Sequence, residues 1–230
     1  MAARPKAVTV ADHERLFFTR WVLLLLAANE AAGLPEVSRE RLHALLFMSF
    51  ASSRYYGIEP LRQRARRTEQ GPYYRMAHIA LGALALAGLI DVRDFAAHPA
   101  PRDLQFEGVF RPTLLGLKVA RVLRETLAGA GLYRFLLDMC LAAAHTTEVA
   151  ADDLRSTILD RVLEEDLTYR RAIGRHSDIL EMEDYPEEGT PTVKGLNSID
   201  ERLRQQGGLN RKDVVAAYQT LLQQRTAKAA

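Results

Sequence analysis

The stretch YRMAHIALGALALAGLIDV, residues 74–92, reads as a helix that runs straight into a strand. Ala77, Leu81 and Leu84 recur at helical spacing and form one apolar stripe. Gly88 is the natural stop, because only glycine takes the left-handed conformation cheaply. Leu89-Ile90-Asp91-Val92 then continues as a strand. Gly71-Pro72 marks the break in front, so the helix is predicted over Pro72–Ala87. Its first turn carries Tyr73, Tyr74, Arg75 and His78. Before it, Pro60 opens a short predicted helix bearing Arg62, Arg64, Arg66 and Arg67. An aromatic, basic first turn behind a basic turn suits the major groove of duplex DNA.

Working outward, Ser38 is placed to cap a helix with Leu42, Leu45, Leu46, Ser49 and Phe50 on one face. This is taken as the first helix of the unit, and Gly57 stops it. On the far side, Leu89–Phe95 and Phe106–Arg111 are predicted as two strands. The loop between them, Ala96–Gln105, contains Pro99, Pro101 and Arg102. Thr113 can cap a helix over Leu114–Leu127.

Together with FRPTLLGLKVARV at residues 110–122, the stretch from helix to hairpin resembles bacterial winged-helix regulators of the MarR and PadR type. The matching positions are Gly88, Leu89, Ile90, Thr113 and Gly116. The resemblance implies a mainly α fold: a winged helix-turn-helix at 38–127 with a small β-hairpin wing, extended by helices at both ends. It assigns phosphate contacts to Arg62, Arg64, Arg66 and Arg67, and base readout to Tyr73, Tyr74, Arg75 and His78. Arg93, Arg102 and Arg111 would serve the wing. Phosphate contacts position a protein and base contacts specify, so Arg75 is the main candidate reader. Beyond His78 the outward stripe continues as Gly82 and Ala85, which contact little and also fit burial against protein. Two readings follow. One is a DNA-binding transcription regulator. The other is a non-catalytic winged-helix subunit of an SMC-type, transposition or phage-defence complex.

The flanks are helical as well. Residues 12–32 form a helix with Leu16, Phe17, Leu23, Leu24, Ala27 and Ala28 on one side and Phe18, Val22, Leu25 and Leu26 on the other. A helix apolar nearly all round must be covered on most faces. Phe17, Trp21 and Leu24 are expected to pack on helices at 132–144 and 152–173, with the surplus surface forming a homodimer or partner interface. Residues 128–180 read as a helical extension and the acidic stretch 181–195 as a linker. Two amphipathic helices follow within 196–230. Asn197 or Ser198 would cap Ile199–Gln206, and Asn210 would cap Arg211–Gln224.

Charge confines the options. The net charge is only +2, from 31 basic and 29 acidic residues, so attraction to nucleic acid must come from a local patch. The lone Cys140 excludes an internal disulfide and a Cys-based zinc site. The apolar run Trp21–Ala28 is far shorter than the roughly 20 residues that span a bilayer, so a cytoplasmic protein without membrane contact is expected. No P-loop, GxGxxG, HExxH or Gly-x-Ser-x-Gly motif occurs. His176, Ser177, Asp178 and Glu181 read as a solvated turn. Asp152, Asp153, Glu164, Glu165 and Asp166 read as ion pairs and caps. No enzyme activity, cofactor or metal is expected.

Overall fold

The second half of helix α1 (Val10–Ala31) is apolar nearly all round, and residues 21–29 are all buried. The computed structural model describes residues 10–34, 36–61, 64–68, 71–100, 103–148, 162–173, 179–180, 189–205 and 210–229. They form a mainly helical protein with two small antiparallel sheets. The sheath around α1 is built from helices and the sheet that contains Asp103–Pro112. The Trp21 ring lies 5.1 Å from Phe50 and 6.5 Å from Phe135, and Phe18 lies 5.9 Å from Phe50. The Trp21 indole N–H donates to Ser49 Oγ at 3.0 Å, which satisfies the one polar atom brought into this cluster. Trp21 and Leu24 are buried as expected, but Phe17 is not. It is 44% exposed and lies under the Arg20 guanidinium.

Strand β1 (Val37–Ser38) leads into α2 (Arg39–Ser52). Ser38 caps α2 as read from sequence, its Oγ accepting from the Arg41 amide. A 3-10 turn at Ser53–Tyr56 ends at Gly57, which takes φ 73°.

The short basic helix expected after Pro60 is not formed. Ala65–Thr68 is a strand, β2, paired antiparallel with β3 (Gly71–Tyr73) and with β6 (Ile179–Leu180). Only Ala65 in this run has a buried side chain. A helix here would have no apolar stripe to bury, whereas the strand gains ladder hydrogen bonds on both edges. Thr68 Oγ1 donates to the Gly71 carbonyl at 2.9 Å and closes the hairpin. Pairing of Pro72 and Tyr73 with β2 also delays the next helix, so α3 runs Arg75–Leu86 rather than from Pro72.

Gly88, at φ 66°, ends α3 and releases the chain into β4 (Ile90–Ala100) and β5 (Asp103–Pro112). These strands are longer than expected. The segment 96–105, read as a loop, is mostly ladder, with Ala96 opposite Glu107 and Ala100 opposite Asp103. A bulge between Arg93 and Ala96 shifts the register, with Asp94 at φ 50°. β1 adds to the far edge of β5, giving the order β1-β5-β4.

Thr113 caps α4 (Leu114–Arg124), its Oγ1 accepting from Gly116 N and donating to the Gly88 carbonyl. Helix α5 (Leu127–Glu148) carries an apolar stretch, Leu127–Ala144, long enough by composition to cross a bilayer. Here its Leu132, Phe135, Leu136, Met139 and Cys140 are core residues instead.

The long helix expected over 152–173 is interrupted. Residues 152–161 lie outside the described residues, 162–165 are helical, and α6 (Leu167–Ile173) restarts after Asp166. Asp166 is fully buried. Its Oδ1 accepts the Thr168 and Tyr169 amides at 2.9 and 3.0 Å, and its Oδ2 accepts the Thr192 and Tyr218 hydroxyls at 2.7 and 2.9 Å. Burial pushes its carboxyl above the usual carboxylate range, while these donors pull it back.

The linker expected to reach Gly195 ends earlier. Residues 181–188 lie outside the described residues, and α7 (Pro191–Arg204) starts at Thr190 rather than at Asn197 or Ser198. Thr190 is the cap and Pro191 the first helical residue, a strong start signal. The Thr190 hydroxyl also donates to the Ala51 carbonyl and so ties α7 to α2. Helix α8 (Arg211–Ala229) packs against α5, with Gln219 Nε2 donating to the Met139 carbonyl at 3.5 Å, and its Val214, Val215, Tyr218 and Leu222 are buried.

Two glycines test this packing in opposite senses. A Cβ on Gly116 would overlap the Leu89 carbonyl oxygen, whereas Gly82 faces open space. Gly82→Ala should raise stability by up to about 1 kcal/mol through helix propensity. Gly116→Ala should lower it by about 1–3 kcal/mol, because backbone must shift. Urea unfolding of the two variants checks both signs.

Candidate nucleic-acid interface

The β2–β3 hairpin sits in the chain between α2 and α3. Its inner side is fixed by buried Ala65 and Pro72. Arg64, Arg66 and Arg67 are all exposed, and as neighbours in the strand Arg66 and Arg67 project to opposite faces of it. Arg75, in the first turn of α3, is exposed next to it in sequence. Arg66 and Arg67 make no ion pair among the described residues. Arg62 and Arg102 lie outside the described residues.

The expected base readers do not stay together. Tyr74 is 1% exposed and packs into the centre of the protein. Its ring lies 5.3 Å from Phe50, 6.2 Å from His43 and 6.4 Å from Phe18. Burial pushes its phenol well above the ordinary tyrosine value. His78 is buried too, 5.6 Å from the His43 ring and 5.2 Å from Tyr73, which is itself half-buried. Neither Tyr74 nor His78 can reach a base edge. The signal was present in the sequence: Tyr74, Ala77, Leu81 and Leu84 continue one stripe, and His78 lies three residues before Leu81 on its margin. Of the proposed readers only Arg75 is exposed. The rest of its stripe is Ile79, Gly82 and Leu86, with Leu86 93% exposed.

His43, not singled out by sequence, holds this corner together. The Tyr74 amide donates to its Nδ1 at 3.1 Å, so the proton of the neutral ring sits on Nε2. Nε2 is buried with no hydrogen-bond partner among the described residues. Burial, reinforced by His78 and Arg39, pushes the His43 pKa down to about 3. A charged ring at this place would face two other basic groups and lose the Tyr74 hydrogen bond.

The wing cations are largely compensated. Arg93 and Arg111 both pair with Glu36 Oε1, at 3.1 and 3.3 Å. Arg39, buried beneath them in α2, pairs with Glu40 at 2.9 Å and lies 3.7 Å from Glu107. Among the described residues, Arg66 and Arg67 of the hairpin are therefore less compensated than Arg93 and Arg111 of the wing.

Other chemistry is sparse. Among the described residues, no three His, Cys, Asp or Glu side chains converge on a metal-sized site. His176, Ser177 and Asp178 lie outside those residues. Cys140 is fully buried, and burial pushes its thiol up to about 12, which leaves it protonated and unreactive. No protein-family model, curated protein or solved structure matches the chain.

The His43 environment gives a signed pH effect. Its pKa falls from 6.5 when unfolded to about 3 when folded, so the unfolded chain binds the extra proton between these values. Stability should be full above pH 6.5 and be lost as pH falls, at up to about 1.4 kcal/mol per pH unit. His43→Gln keeps an acceptor for the Tyr74 amide. It should flatten the slope measured by urea unfolding between pH 6.5 and 5, and an unchanged slope would exclude His43 as its source.

Proposed function

We propose that this chain is a winged-helix protein that holds duplex DNA mainly by its backbone, with little readout of base sequence. Support for the fold comes from connectivity. The order α1–β1–α2–α3–β4–β5, with β1 on the outer edge of β5, is that of a winged helix. On this reading α1, not the helix after Ser38, is its first helix. The helix pair is α2 and α3, and the β2–β3 hairpin is inserted where a helix-turn-helix has a short turn.

The observation that carries the functional reading is the exposure of Arg64, Arg66 and Arg67 at β2 together with Arg75 at the start of α3. Arginine forks match phosphate oxygens, and the positive end of a helix adds to the attraction. Burial of Tyr74 and His78 leaves the helix with one polar reader. Backbone contact without readout gives affinity without strong discrimination.

A second reading, a non-catalytic subunit of a larger machine, is favoured by one feature. The outer stripe of α3 beyond Arg75 is small and apolar, with Gly82 open and Leu86 projecting. Such a stripe suits protein as well as it suits DNA.

Fluorescence anisotropy with a random-sequence duplex across a salt series tests the first reading. Each lost phosphate contact lowers the slope of log K against log salt by about 0.9. Arg66→Ala/Arg67→Ala should therefore reduce the slope by roughly 1.8 and weaken binding to all sequences alike. Duplexes of unrelated sequence should differ by less than about tenfold. Equal binding by wild type and the double variant would remove the hairpin from the interface. No binding by wild type even at low salt would leave the subunit reading.

A further inference from the structure

A second surface, away from the arginine hairpin in sequence, has the build of a docking site. A cleft of about 430 Å³ opens between the last turns of α1, the length of α4 and the start of α5. Its floor is apolar, from Ala27, Ala31, Leu117 and Tyr133, and its rim carries Lys118, Arg121 and Arg124. Leu114 also lines it, and Leu114 together with Leu115, Val122 and Leu127 beside the cleft are each more than half exposed.

These leucines and the valine cannot turn inward. Gly116 is pressed against the Leu89 carbonyl, and Thr113 clamps the helix start to Gly88, so the rotation of α4 is fixed. The α4–α5 corner is fixed in the same way. A Cβ on Gly129 would overlap the Leu123 carbonyl oxygen, and Thr126 accepts from Gly129 N while donating to Leu123. An aliphatic surface held outward by the backbone is a persistent feature of the fold, and such patches mark sites of association.

Charge selects the occupant. Lys118, Arg121 and Arg124 make no ion pair among the described residues, and Glu30 is the one carboxylate lining the cleft. Arg124 is already positioned, its guanidinium 5.4 Å from the Tyr133 ring centre. Across a two-fold axis on α4, Lys118 and Arg121 would meet their own copies, which opposes self-pairing. A ligand with aliphatic side chains on one face and carboxylates on its flanks satisfies both the floor and the rim. We propose that this cleft docks an acidic amphipathic helix of a partner protein, by the helix-in-groove mode.

The test uses the full chain and a labelled designed peptide whose helix bears Leu on one face and Glu on both flanks. A second peptide keeps the Leu face and replaces every Glu with Lys. Anisotropy should show saturable binding of the acidic peptide and at least about tenfold weaker binding of the basic one. Leu115→Ser/Val122→Ser should weaken the acidic peptide by about tenfold or more, with circular dichroism and DNA affinity unchanged. Lys118→Glu/Arg121→Glu should reverse the preference between the peptides. Equal binding of both peptides, or binding of neither, overturns the proposal. So does a concentration-dependent rise in mass that Val122→Glu abolishes, which would assign the cleft to a second copy. Co-sedimentation with phosphatidylserine vesicles that the Leu115/Val122 variant loses would assign it to a membrane surface.

Discussion

Burial of α1 is the constraint from which the rest of the architecture follows. Nine consecutive residues, 21–29, are removed from water, and no single partner helix can cover them all. α3, α4 and α5 and the central strand β5 each pack against α1. The aromatic set Phe18, Trp21, Phe50, Tyr74 and Phe135 forms the middle of that contact, with rings 5.1–6.5 Å apart in tilted or edge-on pairs. Because Tyr74 belongs to this set, the rotation of α3 is decided by the core. Arg75, one residue on, is thereby turned outward. The presentation of the candidate interface is a consequence of how α1 is covered.

A second fixed point lies at the other end of the molecule. Asp166 gathers the start of α6, Thr192 of α7 and Tyr218 of α8 around one buried carboxylate. A buried carboxylate is tolerated when hydrogen-bond donors fill its lone pairs, and here four do so. The Thr190 link to Ala51 then joins this group to α2. The C-terminal helices are thus part of the packed body.

The apolar periodicities were legible in the sequence: the all-round α1, the Ala77–Leu81–Leu84 stripe, and the caps at Ser38, Thr113 and Gly88. What escaped depended on distant partners. Ala65–Thr68 carries little local preference, and it became a strand because β3 and Ile179–Leu180 pair with it. Tyr74 and His78 were misplaced because basic and aromatic residues at a helix start suggest a groove face. Their burial rests on His43, thirty-one residues earlier, which accepts the Tyr74 amide. The compensation of Arg93 and Arg111 by Glu36 is likewise a contact across the sheet that no local pattern announces. The true start of α7 was readable in Thr190-Pro191 but was overshadowed by the acidic residues before it.

Hydrogen–deuterium exchange of the full chain, with and without a duplex DNA, tests the central claim most directly. The account predicts slowed exchange at 64–68, 71–73 and the first turn of α3, and no change at α4 or the α4–α5 corner. Unchanged exchange across the hairpin, with protection appearing at α4 instead, would contradict it.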